Sequence, residues 1–153
     1  MLTFSAFACQ HETEVMPRIT EEFVSARKND VAWNGLPEIH LNSATDTLTF
    51  LAIANQPNDE VLFMKLRFDG AGVYELTGNQ AYYYTTVGGD VLTSEYKLVS
   101  GVAGILYVEN YNAAEHLLEG SFRLTLAKER SNPENDTPTL HFTDGSFRGY
   151  ITD

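Results

Sequence analysis

The residues best placed to contact a ligand are aromatic. Tyr82-Tyr83-Tyr84-Thr85 follows Ala81 in a short run without glycine or proline. In an extended strand successive side chains alternate, so Tyr82 and Tyr84 share one face and Tyr83 takes the other. Two rings on a solvated face can stack on the apolar face of a sugar, and their hydroxyls add directional hydrogen bonds. Trp33, the only tryptophan, is a third ring suited to such a platform. The candidate ligand-binding residues are therefore Trp33, Tyr82 and Tyr84. The competing expectation is cross-strand packing at the edge of a core.

No catalytic or metal constellation accompanies them. The chain has no Gly-x-Ser-x-Gly nucleophile turn. Of its four histidines, His11 lies in a polar N-terminal stretch and His116 near a turn. His40 and His141 alternate with apolar neighbours, so they face away from Ile39, Leu41, Leu140 and Phe142. No pair has the spacing of zinc ligands on one element. Asp59-Glu60 and Glu134/Asp136 sit in expected loops without the alternating acids of a calcium loop. No glycine-rich stretch carries the lysine of a phosphate loop. The reading is of a non-enzymatic protein with no catalytic residue, no metal and no cofactor.

Composition sets further bounds. Ten basic and 21 acidic residues give a net charge of -11, which repels nucleic acid phosphates and anionic lipid headgroups. The single cysteine, Cys9, excludes an intrachain disulfide and a cysteine-based zinc site. No apolar run approaches the roughly 20 residues of a membrane helix. At 153 residues the chain is long enough for one domain with a core of its own.

The elements that must position these groups read as strands. Gly120-Ser121-Phe122-Arg123 recurs as Gly145-Ser146-Phe147-Arg148. Period-two alternation puts Phe122, Leu124 and Leu126 on one face and Ser121, Arg123 and Thr125 on the other, the mark of a half-buried antiparallel sheet. Lys28-Asn29-Asp30 reads as a hairpin turn between residues 23–27 and 31–33, with a short helix from Thr20 as the rival. Asn34-Gly35 and Pro37 are expected to break the chain. Residues 47–54 and 61–68, apolar on both faces, are expected to be central strands joined by a turn-rich loop over 55–59. Asp144-Gly145 reads as a two-residue hairpin turn with positive φ at Gly145, pairing 139–143 with 146–151. Turn signals every eight to twelve residues predict an all-β fold, an antiparallel β-sandwich or alternatively a β-barrel, of about 9–11 strands. Phe50, Leu62, Leu66, Leu106, Phe122, Leu124, Phe142 and Phe147 are the expected core.

Two resemblances add an address. Residues 1–8 are apolar and end in Ala6-Phe7-Ala8 directly before Cys9, and Gln10-His11-Glu12 is polar. This resembles the end of a bacterial lipoprotein signal peptide, in which the cysteine after small residues is acylated and becomes the mature N-terminus. A basic leader would then lie upstream of Met1, and residues 1–22 would be leader remnant and tether ahead of a single β domain, 23–153. Over roughly residues 23 to 152 the order of motifs resembles an uncharacterised family, a domain of unknown function, of small Bacteroidetes lipoproteins. The matching features are Phe23 leading a hairpin to Trp33, Gly72-Val73-Tyr74-Glu75-Leu76, the tyrosine run, Gly104 to the Tyr111-Asn112 turn, Gly120 to Leu124, and Asp144-Gly145-Ser146-Phe147. The resemblance implies export and lipid anchoring at Cys9, and no catalytic residue.

The expectation is a cell-envelope lipoprotein with a binding or scaffolding role, touching the membrane only through its anchor. Its partner would be a glycan or an envelope protein. Two alternatives stand beside it: a carbohydrate-binding sandwich, and a barrel that holds a small hydrophobic ligand. A cytoplasmic protein is the alternative location.

Overall fold

The computed structural model describes residues 21–54 and 59–153. Cys9, His11 and most of the expected 55–59 loop lie outside the described residues. The ten strands are β1 (Phe23–Lys28), β2 (Val31–Asn42), β3 (Thr47–Ala54), β4 (Asp59–Arg67), β5 (Gly72–Leu76), β6 (Ala81–Val87), β7 (Val91–Leu98), β8 (Gly104–Asn112), β9 (Leu117–Ser131) and β10 (Thr139–Thr152). A single 3-10 turn, Gly78–Gln80, separates β5 from β6. The fold is all-β, as the alternation predicts.

Local chemistry explains the strand ends. Asn29 and Asp30 both take positive φ, 48° and 66°, the conformation that a two-residue hairpin between β1 and β2 requires. Gly88 and Gly89 also take positive φ, 67° and 81°, in the three-residue turn 88–90 between β6 and β7. The helix considered from Thr20 does not form over the described part of that stretch; Phe23–Lys28 is strand, with Val24 and Ala26 buried.

All ten strands belong to one sheet, ordered β1-β10-β2-β3-β4-β6-β7-β9-β8-β5, with additional β1–β2 and β9–β10 pairings. Those pairings close a ring through β1, β2, β3, β4, β6, β7, β9 and β10. Such a ring is compatible with a sandwich and with a barrel. Every pairing is antiparallel except a short parallel contact of β10 with β2 at Ile39 and His40. Along the edge away from β10, β9 is long enough to serve two neighbours: Arg123 and residues before it pair with β8, while Leu126 and residues after it pair with β7.

One hydrophobic cluster fills the inward positions, drawing on every strand. All eight expected core residues are buried, Phe50, Leu62, Leu106 and Phe142 completely. Phe50 meets Phe147 edge-on at 4.9 Å between ring centroids, which ties β3 to β10 through the interior.

Two sequence expectations are corrected. Gly35 and Pro37 do not break β2. At Gly35 the strand passes from β1 to β3, and a Cβ there would lie 2.9 Å from the Ile53 carbonyl oxygen. Pro37 falls where β2 has left β1 and has not yet met β10, so its missing N–H costs no ladder bond on that side. Nor is Asp144-Gly145 a hairpin turn. β10 runs through it, paired with β9 on both sides of a bulge between Phe142 and Gly145. The positive φ, 51°, belongs to Asp144. Gly145 is glycine because it lies against β9, where a Cβ would stand 2.5 Å from the Phe122 carbonyl oxygen.

Candidate functional site

The interior changes character at one end of the ring. Following the inward side chains toward that end, Ala26 gives way to Lys28 on β1 and Leu62 to Glu60 on β4. Ala81 gives way to Tyr83 and then Thr85 on β6, and Leu98 to Tyr96 and then Ser94 on β7. Leu126 gives way to Lys128 on β9. Cross-strand register makes these residues neighbours: Tyr83 is opposite Tyr96, Thr85 opposite Ser94, and Tyr96 opposite Lys128. The loop of residues 132–138 folds over them. Together they form a pocket of about 330 Å3, lined by Lys28, Tyr83, Thr85, Thr93, Ser94 and Tyr96, with Asn29, Pro133, Asn135, Thr137 and Leu140 completing the wall. Its size lies at the small end of known ligand sites.

Glu60 is the hub beneath the pocket. Lys28 Nζ donates to its Oε1 at 2.6 Å and Trp33 Nε1 donates to its Oε2 at 2.5 Å. Lys28 Nζ also donates to the Tyr83 hydroxyl at 3.0 Å and lies 5.1 Å from the centre of that ring. Burial is the largest cause pushing the Tyr83 phenol far above its ordinary pKa, followed by the Glu60 carboxylate, the hydrogen bond with it, and Tyr96. Tyr83 is therefore a fixed hydrogen-bonding phenol and not a base. The rings of Tyr83 and Tyr96 meet edge-on at 5.9 Å.

The far wall is held by the 132–138 loop. Tyr96 OH donates to the Thr137 carbonyl at 2.8 Å, and Asn135 lies 3.2 Å from the same hydroxyl. Lys128 Nζ pairs with Glu134 and donates to the Asn135 carbonyl at 2.8 Å. Thr85 Oγ1 contacts both Thr93 Oγ1 at 2.7 Å and Ser94 Oγ at 2.6 Å. Ser94 is the one buried polar side chain in the described core. Thr93 Oγ1 also donates to the Thr85 carbonyl at 3.1 Å, so what this group of hydroxyls offers a visitor is mainly lone pairs.

The sequence-predicted residues are placed apart. Trp33 is 5% exposed, with its ring edge-on to Phe142 at 5.4 Å, so it is corrected from a platform ring to a core ring whose N–H braces Glu60. Its burial follows from facing inward opposite Ala26 in the first hairpin. Tyr82 and Tyr84 do face outward together, half-buried, with ring centres 6.1 Å apart. Phe63 stacks on Tyr82 at 4.4 Å, so one face of that ring is already covered by its cross-strand neighbour. Tyr83, read only as the odd ring of the run, is the one that enters the pocket. Cys9 lies outside the described residues.

The described histidines do not enter the site. His40 and His141 are exposed, with ring nitrogens near Thr152 and Thr125 hydroxyls. Among the described residues no group of three or more His, Cys, Asp or Glu side chains is arranged to hold a metal ion. No described helix is long and apolar enough to cross a membrane. Lys28, Glu60, Ser94, Tyr96 and Asn135 were missed in the sequence. Asn135 lies in a loop and has no such signal; for the others it is a polar residue in the inward phase toward one end of a strand, a pattern shared by β1, β4, β6, β7 and β9 that becomes a site only once the ring brings those ends together. The chain matches no family model, no curated protein and no solved structure.

Proposed function

We propose that this domain is a non-enzymatic binding protein of the cell envelope, and that its site is the polar mouth pocket. The observation that carries this reading is the switch of the inward positions from apolar to polar on β1, β4, β6, β7 and β9, with Glu60 bracing Lys28, Trp33 and Tyr83 beneath the opening. Even a paired polar cluster adds no more stability than apolar packing at the same positions, so its presence at an open end argues for a use. Binding is favoured over catalysis because Tyr83 is held protonated, the Ser94 hydroxyl is partnered by Thr85, and no described histidine lines the pocket.

Amide shifts of the labelled domain, recorded against a panel of amino acids, nucleosides, organic acids and sugars, test the site. Saturable shifts at residues 83–85, 93–96 and 135–137 are expected. Saturable shifts confined to Phe63, Tyr82 and Tyr84 would move the site to the outer face and refute the proposal. A hydrophobic ligand inside the ring is the least supported alternative, because the inward positions already pack into one cluster.

The envelope location rests on Cys9 and the apolar stretch before it. Expressed behind a full leader in a suitable bacterium, the protein should take up labelled fatty acid and sediment with membranes, and Cys9→Ser should do neither. Two acyl chains anchor far more stably than one. Label that persists in Cys9→Ser would refute acylation at this residue.

A further inference from the structure

We infer that the mouth pocket takes a neutral, polyhydroxylated ligand the size of a single sugar residue. This inference rests on the proposed binding role of the pocket and names the ligand class. The lining carries six hydroxyls, from Tyr83, Thr85, Thr93, Ser94, Tyr96 and Thr137. Tyr96 and Thr93 spend their protons on the Thr137 and Thr85 carbonyls, so these hydroxyls meet a ligand as acceptors, and the best complement is a molecule that brings several neighbouring donors of its own, as a polyol does.

Charge decides against the ionised alternatives. Lys28 is the only charged residue among the described lining residues, and its ammonium is already matched by Glu60 at 2.6 Å. Lys128 behind the loop is matched by Glu134. An anionic ligand would compete with those carboxylates in the field of a chain of net charge -11. A cationic ligand finds no carboxylate among the described lining residues. Either ion would lose hydration without gaining a free counter-charge, which a neutral polyol avoids. One Lys28 proton remains for the ligand after Glu60 and Tyr83 take two. The Tyr83 and Tyr96 rings supply apolar wall against which C–H faces of a pyranose can rest.

The sole tryptophan gives the assay. Trp33 donates to Glu60, and Glu60 holds both Lys28 and Tyr83, so pocket occupancy should change its fluorescence. Galactose, glucose, mannose and N-acetylglucosamine would be titrated beside galacturonate, glucuronate, galactosamine and glucosamine, by fluorescence and calorimetry. At least one neutral sugar should bind with Kd below about 50 mM and more tightly than its charged counterparts. Ser94→Ala, or Tyr96→Phe if that variant does not fold, should raise Kd by about tenfold, the worth of one well-placed hydrogen bond. Binding of a uronate or an amino sugar more tightly than the neutral parent, still sensitive to Ser94→Ala, would overturn the ligand class and leave the pocket standing. Absence of any Ser94-dependent binding across the eight sugars would overturn this inference, and amide shifts at the pocket with the non-sugar panel would then decide separately on the site.

Discussion

Replacing Glu60 by alanine strikes the structure at its polar hub. Glu60→Ala leaves the Trp33 indole N–H, buried within the core, without its acceptor at 2.5 Å. An orphaned buried donor costs about 1–3 kcal/mol. The same change strips Lys28 of its carboxylate, leaving the Tyr83 hydroxyl as its side-chain partner. Breaking a fully buried pair costs about 3–5 kcal/mol, and an exposed one typically less than about 1 kcal/mol. With side-chain exposures of 22% for Lys28 and 13% for Glu60 the pair lies between those limits, and the ammonium can turn toward water. About 1–2 kcal/mol is a fair share for it. The sum is about 3 kcal/mol, which at roughly 3 °C per kcal/mol predicts a fall in Tm of about 9 °C. Glu60→Gln keeps an acceptor oxygen and loses the charge, so it should cost about half as much. Calorimetric melting of both variants, of Lys28→Met and of the Glu60→Gln/Lys28→Met double variant measures the coupling directly. A Glu60→Ala protein melting within about 2 °C of the parent, or additive Lys28 and Glu60 effects, would refute the hub.

Further expectations follow from the same geometry. Gly120→Ala should prevent stable folding, because its Cβ would stand 1.9 Å from the Tyr107 carbonyl oxygen and 2.9 Å from Phe147 Cζ. Gly89→Ala, at φ +81° with open space around it, should lose only about 1 kcal/mol, and circular dichroism on heating separates the two. The raised pKa of Tyr83 means that the folded state keeps a proton which the unfolded chain releases near its ordinary value of about 10. Stability should therefore be unaffected by this group below that pH and fall above it by up to about 1.4 kcal/mol per pH unit. Tyr83→Phe should flatten that alkaline slope in denaturant titrations, and an unchanged slope would contradict the burial argument. Phe122→Ala, which empties a position 4% exposed between β8 and β10, should cost about 3–5 kcal/mol by the same titration.

Much of the β framework was legible in the chain because it depends on near neighbours. Alternation of apolar and polar residues marked most strands and all eight expected core residues, since side-chain direction in a strand has a period of two whatever lies beyond it. The Lys28-Asn29-Asp30 turn was legible for the same reason: its dihedral demands are met within two residues. The expectations that failed depended on what lay across the sheet. Gly145 looked like a turn residue by composition, and only the Phe122 carbonyl pressed against it explains the glycine. Trp33 looked available to a ligand until the first hairpin turned it onto Phe142. The pocket was the least legible feature. Lys28, Glu60, Tyr83, Ser94 and Tyr96 come from β1, β4 and the β6–β7 hairpin, which are separated in sequence, and each by itself reads as a polar residue on a strand. Alternation fixes which way a side chain points; only closure of the ring, through β9–β10 and β1–β2, fixes what it points at.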